Sequence, residues 1–396
     1  MCLPYNPIHC ILPPHILHAL LEQQEDRRLR DAALRTLTTS IRLHERRSIL
    51  GRVAVGTPAG QKRRTIYDAQ AGFSLPGQLV RGEGDPASSD SAVNEAYDGL
   101  GATYDFYHDV FKRNSIDDRG MRLDASVHYS RDYDNAFWNG EQMVFGDGDG
   151  VIFLNFTKAI DVIGHELTHG ITQNTANLAY HNQSGALNES ISDVFGSLVK
   201  QYHNNEDSNA ADWLIGKGIM APGINATALR SMKEPGSAYD DPKLGGRDPQ
   251  PKEMSGYVQL PDTDDGDFGG VHLNSGIPNR AFYLVAEQLG GFAWERAGHI
   301  WYAALQQLFP SAQFKDCANI TLEVAGTLFG AGSQEQQAVR AAWIEVGVTP
   351  AATRRAAGGA GVRPGKTKAL ERDGDKLRQH LERASAEIQA TLKELN

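Results

Sequence analysis

The sequence predicts an α+β chain, with strands and helices mixed through its first half and helices alone through its second. Three observations carry that expectation. Runs with strand character, bounded by turn formers, are confined to residues 64–156. Beyond them apolar residues recur at helical spacing, as in FAWERAGHIWYAALQQLF, ANITLEVAGTLFG and QEQQAVRAAWIEVGV. Between the two regions, residues 161–173 and 185–196 form two adjoining helix-like runs with His, Glu and Asp placed one turn apart.

Composition bounds what such a chain can be. Its 396 residues, 40% hydrophobic and 22% charged, are ordinary for a globular protein of two or three domains. No apolar run reaches the eighteen or so residues of a membrane span. The start, MCLPYNPIHCILPPHILHALL, lacks a basic n-region and is interrupted by Pro13-Pro14. It makes a poor Sec signal, so a precursor held in the cytoplasm is expected, with release by another route. Cys2, Cys10 and Cys317 cannot build a disulfide framework. Residues 1–50 carry +2 and 351–396 carry +4, which leaves −16 on the middle of a chain with net charge −10. An acidic body argues against nucleic acid as a partner and lets the basic ends dock onto it. A monomer is expected.

Taken in order, residues 15–49 are free of Gly and Pro and space Leu20, Leu21, Ala32, Leu34 and Leu37 helically, which predicts one or two helices. RTIYDAQAGFSLPGQLV at 64–80 mixes β-branched and aromatic residues with turn formers. A helix is expected through DSAVNEAYDGLGATYDFYHDVFKR, with Asp90 or Ser91 as its N-cap. LDASVHYS, DNAFWNGEQMVFG and VIFLNF read as strands. The GDGDG tract at 146–150 fits a sharp structural turn better than a calcium loop. In DNAFW, an edge strand would offer its backbone to an extended peptide, whereas a central strand would not.

The stretch 161–193, DVIGHELTHGITQNTANLAYHNQSGALNESISD, carries the chemistry. His165 and His169 stand four apart, so a helix projects both imidazoles from one face. That spacing lets two ring nitrogens reach one tetrahedral Zn2+. Glu166 leans to the side where a metal-held water would sit and can take its proton. HExxH alone arises often by chance; the continuation makes it specific. Nineteen residues separate His169 from Glu189. Two His and one Glu leave a coordination position open, the ligand set of a catalytic rather than a structural zinc. Asp193, four beyond Glu189, can accept the free N–H of His165, and Asn188 lies near His169. The Asn182–Gly185 cluster predicts the turn that folds the second helix onto the first. The competing expectation is two amphipathic helices with buried polar residues.

With HELTHGITQNTA and YHNQSGALNESISDVFG in view, the chain resembles the thermolysin-like zinc metallopeptidases from about Arg64 to Val348. The resemblance implies a two-lobed fold: an N-terminal α/β lobe with a mixed sheet over 51–182, and a C-terminal all-α lobe over 183–348. The zinc helix would lie between them at the floor of a cleft. Residues 1–50 are similar to the short propeptide of the protealysin-like branch, with Pro13-Pro14-His15-Ile16-Leu17 matching its Pro-Pro-x-x-Leu pattern. They are expected to form a helical inhibitory segment lying in the cleft until cut off near Leu50-Gly51. A Cys10 thiolate on the zinc would be a switch, but a packed, reduced cysteine is the plainer expectation.

Further site residues follow from the same resemblance. In DFGGVHLNSG, His272 would stabilise the oxyanion, with Asp267 five residues earlier placed to orient its ring. Tyr180 matches a second oxyanion donor, each such donor being worth on the order of 3 kcal/mol of barrier. Arg230 would bind a substrate carbonyl, and Asn135 and Ala136 the substrate backbone, with Trp138 beside them. The primed-side pocket would be formed by Phe153, Phe156, Val162, Ile215, Ile219 and Leu229, all apolar. Cleavage on the amino side of a hydrophobic residue of a protein or peptide is therefore expected.

The chain departs from the family at calcium. Asp161 and Asp212 remain, but Lys200, Leu214 and Lys217 stand where relatives carry Glu, and two ammonium groups repel a dication. Ala221 and Thr227 replace ligand types in a second calcium loop. One zinc and no calcium at the paired site are expected. The tail, 349–396, reads as a flexible linker followed by a charged helix outside the resemblance. Two other readings share these motifs. A zinc aminopeptidase also has HExxH and a distal Glu, but normally eighteen intervening residues. A catalytically silent binding protein would keep the fold without needing Glu166, His272, Tyr180 and Asp267.

Overall fold

The computed structural model describes residues 9–22, 26–46, 58 and 60–351. The expected cut near Leu50-Gly51 and the charged helix of the tail lie outside the described residues.

A mixed sheet dominates the first half. It is formed by β1 (His9–Cys10), β2 (Arg64–Asp68), β3 (Gln78–Gly82), β4 (Leu123–Val127), β5 (Ala136–Trp138) and β6 (Met143–Phe145), in the order β1-β5-β6-β4-β2-β3. The pairs β2/β4 and β4/β6 are parallel, and the other three are antiparallel. Alternation sorts the side chains. One face joins the main core through Ile66, Ala125, Val127 and Phe145. The other holds a smaller cluster of Cys10, Tyr129, Tyr133, Phe137 and Val144. The helix α3 (Ser91–Phe111) covers the core face, and its N-cap Asp90 accepts the Ala92 amide.

VIFLNF does not form a strand. Phe153 makes only an isolated bridge to Met220, and residues 156–158 turn into a short 3₁₀ helix. A short apolar run can be buried without pairing, so hydrophobicity alone misread it. The GDGDG tract is a tight turn: Gly148 and Gly150 have φ of 73° and 72°, and Asp149 Oδ1 accepts the amides of Val151, Ile152 and Phe153.

Helices α4 (Ile160–Gln173) and α5 (Asn182–Asn204) follow and pack on each other. The Asn182–Gly185 cluster is the first turn of α5, not the connection before it; the chain reverses over 174–181, and Asn182 itself takes φ 49°. The second half is helical, with α6 (Asp267–Asn274), α7 (Gly276–Leu289), α8 (Ala297–Leu305), α9 (Phe314–Phe329) and α10 (Gln334–Glu345). Two small ribbons interrupt it: β7 (Leu214–Ile215) with β8 (Arg230–Ser231), and β9 (Asp240–Asp241) with β10 (Gly246–Arg247).

The N-terminal residues fold as α1 (Pro14–Leu21) and α2 (Arg27–Arg46). Ile16, Leu17, Leu20, Leu29 and Ala33 are buried in the main core. Polar contacts tie the segment down: His15 Nε2 lies 2.9 Å from the Tyr239 hydroxyl, Arg28 donates to the Asp149 carbonyl, and Arg35 pairs with Asp132 at 3.1 Å. No helix among the described residues is long and apolar enough to cross a membrane.

Candidate active site

The helix spacing of α4 puts His165 and His169 on one face, fully buried, against α5. The helices approach closely because two glycines meet. A Cβ on Gly196 would stand 2.5 Å from the Asp161 carbonyl, and one on Gly164 would lie 3.1 Å from the Gly196 Cα. That approach brings Glu189 to the histidines, with its oxygens 3.5 Å from His165 Nε2 and 3.4 Å from His169 Nε2.

The far side of each imidazole is fixed. His165 Nδ1 is 2.8 Å from Asp193 Oδ1, and His169 Nδ1 is 2.9 Å from Asn188 Oδ1. Ser192 Oγ also reaches His169 Nδ1, at 3.0 Å. With Nδ1–H donating on both rings, the Nε2 lone pairs face the same space 3.0 Å apart. Nearby, Glu189 Oε2 and Glu166 Oε1 are buried without a hydrogen-bond partner. Burial first, and then the Glu189 carboxylate, push Glu166 well above the ordinary carboxylate range. Lone pairs and carboxylates gathered this way fit a divalent cation. Among the described residues, His165, His169 and Glu189 are the only such group, their ligand atoms lying within 4.8 Å of one another. Cys10 is not part of it; its side chain packs in the aromatic cluster behind the sheet.

On one side of this group stand β5 and Glu166, whose Oε2 accepts the Trp138 amide at 3.1 Å. On the other stand Tyr180 and His272. The Tyr180 hydroxyl donates to Glu189 Oε1 and lies 3.2 Å from His272 Nε2. Asp267 grips His272 twice, through Nδ1 at 2.5 Å and the backbone amide at 2.9 Å. Residues 267–270 all have positive φ, so the chain winds left-handed there and folds the carboxylate back onto the ring it orients. Gln250 donates to the His272 carbonyl at 2.7 Å. Burial would lower the pKa of His272, but Glu189 and Asp267 outweigh it and hold it at about 9.

Arg230 is buried in a two-pronged pair with Asp193, Nε and Nη2 each 2.8 Å from a carboxylate oxygen. Asn279 donates to the same carboxylate at 2.9 Å. Burial would raise the Asp193 pKa, but Arg230 and His165 hold it well below the usual carboxylate range. Asp193 thus links the guanidinium to a histidine of the cation group. Phe153, Phe156, Val162, Ile215, Ile219 and Leu229 are all buried in the main core. The structure thus joins His165, His169, Glu189, Tyr180, His272, Asp267, Asp193 and Arg230 through direct contacts and buries the six apolar residues in the core; Ser192, Gln250 and Asn279 join the same contacts without a motif that predicts them. Ser192 shared a signal with Asn188, four earlier on one helix face, whereas Gln250 and Asn279 reach in from distant segments without one.

The cleft is occupied by the chain's own N-terminal residues. Strand β1 pairs antiparallel with β5, which it thereby converts from an edge to an interior strand. Beyond β1, the Ile11 amide donates to the Ala136 carbonyl at 3.2 Å and the Leu12 amide to Asn135 Oδ1 at 3.1 Å. Arg230 Nη1 donates to the Ile11 carbonyl at 2.8 Å, and His272 Nε2 lies 2.7 Å from the Cys10 carbonyl oxygen.

Away from the cleft, the Lys200 ammonium sits 2.8 Å from Asp161 and 2.9 Å from Asp212, and donates to the Leu214 carbonyl. Lys217 pairs with Asp212 at 3.3 Å.

Residues 53–173 match the family described as thermolysin metallopeptidase, catalytic domain, and residues 176–348 the corresponding alpha-helical domain. An extracellular metalloprotease of Pectobacterium carotovorum subsp. carotovorum is 51% identical over 87% of this chain and 97% of its own. Protease PrtS of Photorhabdus sp. (strain Az29) is 53% identical over 72% of this chain and 76% of its own. Among solved structures, the precursor of protealysin, a metalloproteinase from Serratia proteamaculans, superposes with a TM-score of 0.79. It shares 51% identity, over 86% of this chain and 100% of that one.

Proposed function

This chain belongs to the thermolysin family of zinc metalloendopeptidases, in its protealysin branch, and from that premise we propose how its residues divide the work. His165, His169 and Glu189 hold one zinc; their convergent ligand atoms, with Glu189 Oε2 buried without a hydrogen-bond partner, are the observation that carries the reading. Zinc, when bound, polarises the scissile carbonyl and lowers the pKa of water. Glu166 takes the proton of the attacking water and delivers it to the departing amine. His272 and Tyr180 donate to the oxygen that gains charge, and Asp267 keeps the His272 ring aimed. Asn135, Ala136 and Arg230 grip the peptide backbone. Phe153, Phe156, Val162 and Leu229 offer only apolar burial, so bonds on the amino side of hydrophobic residues are cut.

Residues 1–50 are the inhibitory propeptide, 51–182 and 183–348 the two catalytic lobes, and 349–396 an appended tail. The precursor matures by its own cut near residue 50. Lys200 and Lys217 take the place of calcium beside Asp161 and Asp212, supported by the short ion pairs there. Mass spectrometry of wild type beside Glu166→Ala tests this reading. Wild type is expected to lose its first fifty or so residues and then digest casein and N-terminally blocked peptides, while the variant stays intact. Hydrolysis confined to free N-termini would favour an aminopeptidase, and no hydrolysis a binding protein.

A further inference from the structure

The four contacts that seat residues 10–12 engage the same groups to which the reading above gives the oxyanion and the substrate backbone. Reading along the chain, the Cys10 carbonyl meets His272, and the Ile11 amide meets the Ala136 carbonyl. The Ile11 carbonyl then meets Arg230, and the Leu12 amide Asn135. Ile11 is fully buried and joins the same apolar core as Phe153, Val162 and Leu229. One peptide bond lies between the carbonyl at His272 and the fully buried aliphatic residue that follows it, namely Cys10–Ile11. It is flanked on the carboxyl side by the residue type that the pocket selects.

We propose that the precursor cuts its own Cys10–Ile11 bond, an inference that rests on the peptidase reading above. The water oxygen bonds to the Cys10 carbonyl carbon, the bond from that carbon to the Ile11 nitrogen breaks, and the nitrogen leaves with the proton that water gave up. The products are residues 1–10 and a chain beginning at Ile11. This cut does not open the cleft. Ile11 remains anchored by Arg230, and the helices behind it remain docked through Ile16, Leu20, Arg28 and Thr36, which accepts the Asp134 amide. A new amino terminus held in place this way can rejoin the carboxylate it left, so the cut and uncut forms coexist until the later cut near residue 50 frees the segment.

Zinc-loaded full-length protein, followed by intact-mass spectrometry over a dilution series, tests the proposal. A species starting at Ile11 is expected, with a first-order rate that dilution leaves unchanged. It should be absent from Glu166→Ala, retained in Ile11→Val and slowed at least about tenfold in Ile11→Asp. A readout without catalysis uses the metal-free chains. Amide hydrogen exchange at Ile11 and Leu12 should be protected in wild type and Ile11→Val, and at least about tenfold faster in Ile11→Asp. Casein hydrolysis and a cut near residue 50 with Cys10–Ile11 left whole would overturn the proposal while sparing the peptidase reading. A cut at Cys10–Ile11 whose rate scales with concentration would also overturn it, and absence of all hydrolysis would remove the reading beneath it.

Discussion

The Lys200 ammonium gives the sharpest test of the proposal that Lys200 and Lys217 take the place of calcium beside Asp161 and Asp212. Asp161 is fully buried, and its Oδ2 takes its charge partner from Lys200 at 2.8 Å. Replacing Lys200 by Met keeps the apolar stem and removes the charge, leaving a buried carboxylate unpaired, a change that costs about 3–5 kcal/mol. Unfolding entropy near 2.1 cal/mol/K per residue, over the roughly 330 folded residues of the uncut chain, gives about 0.7 kcal/mol/K, so the melting temperature should fall by about 4–7 °C. Calcium should not restore it, because two carboxylates are a poor set for that ion. Lys200→Glu should behave differently. Without calcium, three carboxylates repel one another and the melting temperature drops at least as far; with millimolar calcium it recovers, since they and the Leu214 carbonyl now offer hard oxygen ligands. Scanning calorimetry on metal-free chains, in a Glu166→Ala background that prevents self-digestion, reads all three. Wild type should be indifferent to calcium within about 1 °C. A calcium-stabilised wild type, or a Lys200→Met chain as stable as wild type, would refute the reasoning.

Other outcomes follow from the same structure. Glu166→Gln should keep its zinc and its circular dichroism yet lose about 10²–10⁴-fold in casein hydrolysis; retention of a tenth of the activity would contradict the proton-transfer role. Gly196→Ala should push α5 from α4, costing about 1–3 kcal/mol of stability and weakening zinc affinity, because the new Cβ overlaps the Asp161 carbonyl. Equilibrium dialysis against zinc checks the second effect. Burial holds the docked His15 at a pKa of about 4, against an ordinary value of 6.5. Its neutral form is therefore fully compatible with docking above pH 6.5, and docking weakens as pH falls from there toward 4. Release of the N-terminal segment, followed by limited proteolysis, should accelerate over that window, and His15→Gln should flatten the dependence.

What the sequence disclosed and what it hid divide along a physical line. The cation group was legible because its ligands ride on two successive helices, where one-turn spacing converts directly into geometry. Asp193 and Asn188 were legible for the same reason. The role of Asn135 and Ala136 came from resemblance, as local pattern could not say whether β5 was an edge strand. VIFLNF misled because burial and strand pairing give one hydrophobic signal. Asn182–Gly185 misled because Asn, Ser and Gly suit a helix's first turn as well as a loop. Asn279 and the pairing of β1 with β5 depend on contacts across more than eighty residues, and Gln250 on one across 22, for which a single chain carries no periodicity. Cys10 drew notice for its thiol, yet its backbone carbonyl is what meets His272.

The central claim is that one zinc is held between His165, His169 and Glu189. Crystals of the zinc-loaded Glu166→Ala chain, measured on both sides of the zinc absorption edge, test it directly. A single anomalous peak is predicted about 2.0–2.2 Å from His165 Nε2, His169 Nε2 and a Glu189 oxygen. A peak elsewhere, or none in a protein that still hydrolyses casein when Glu166 is restored, would contradict it.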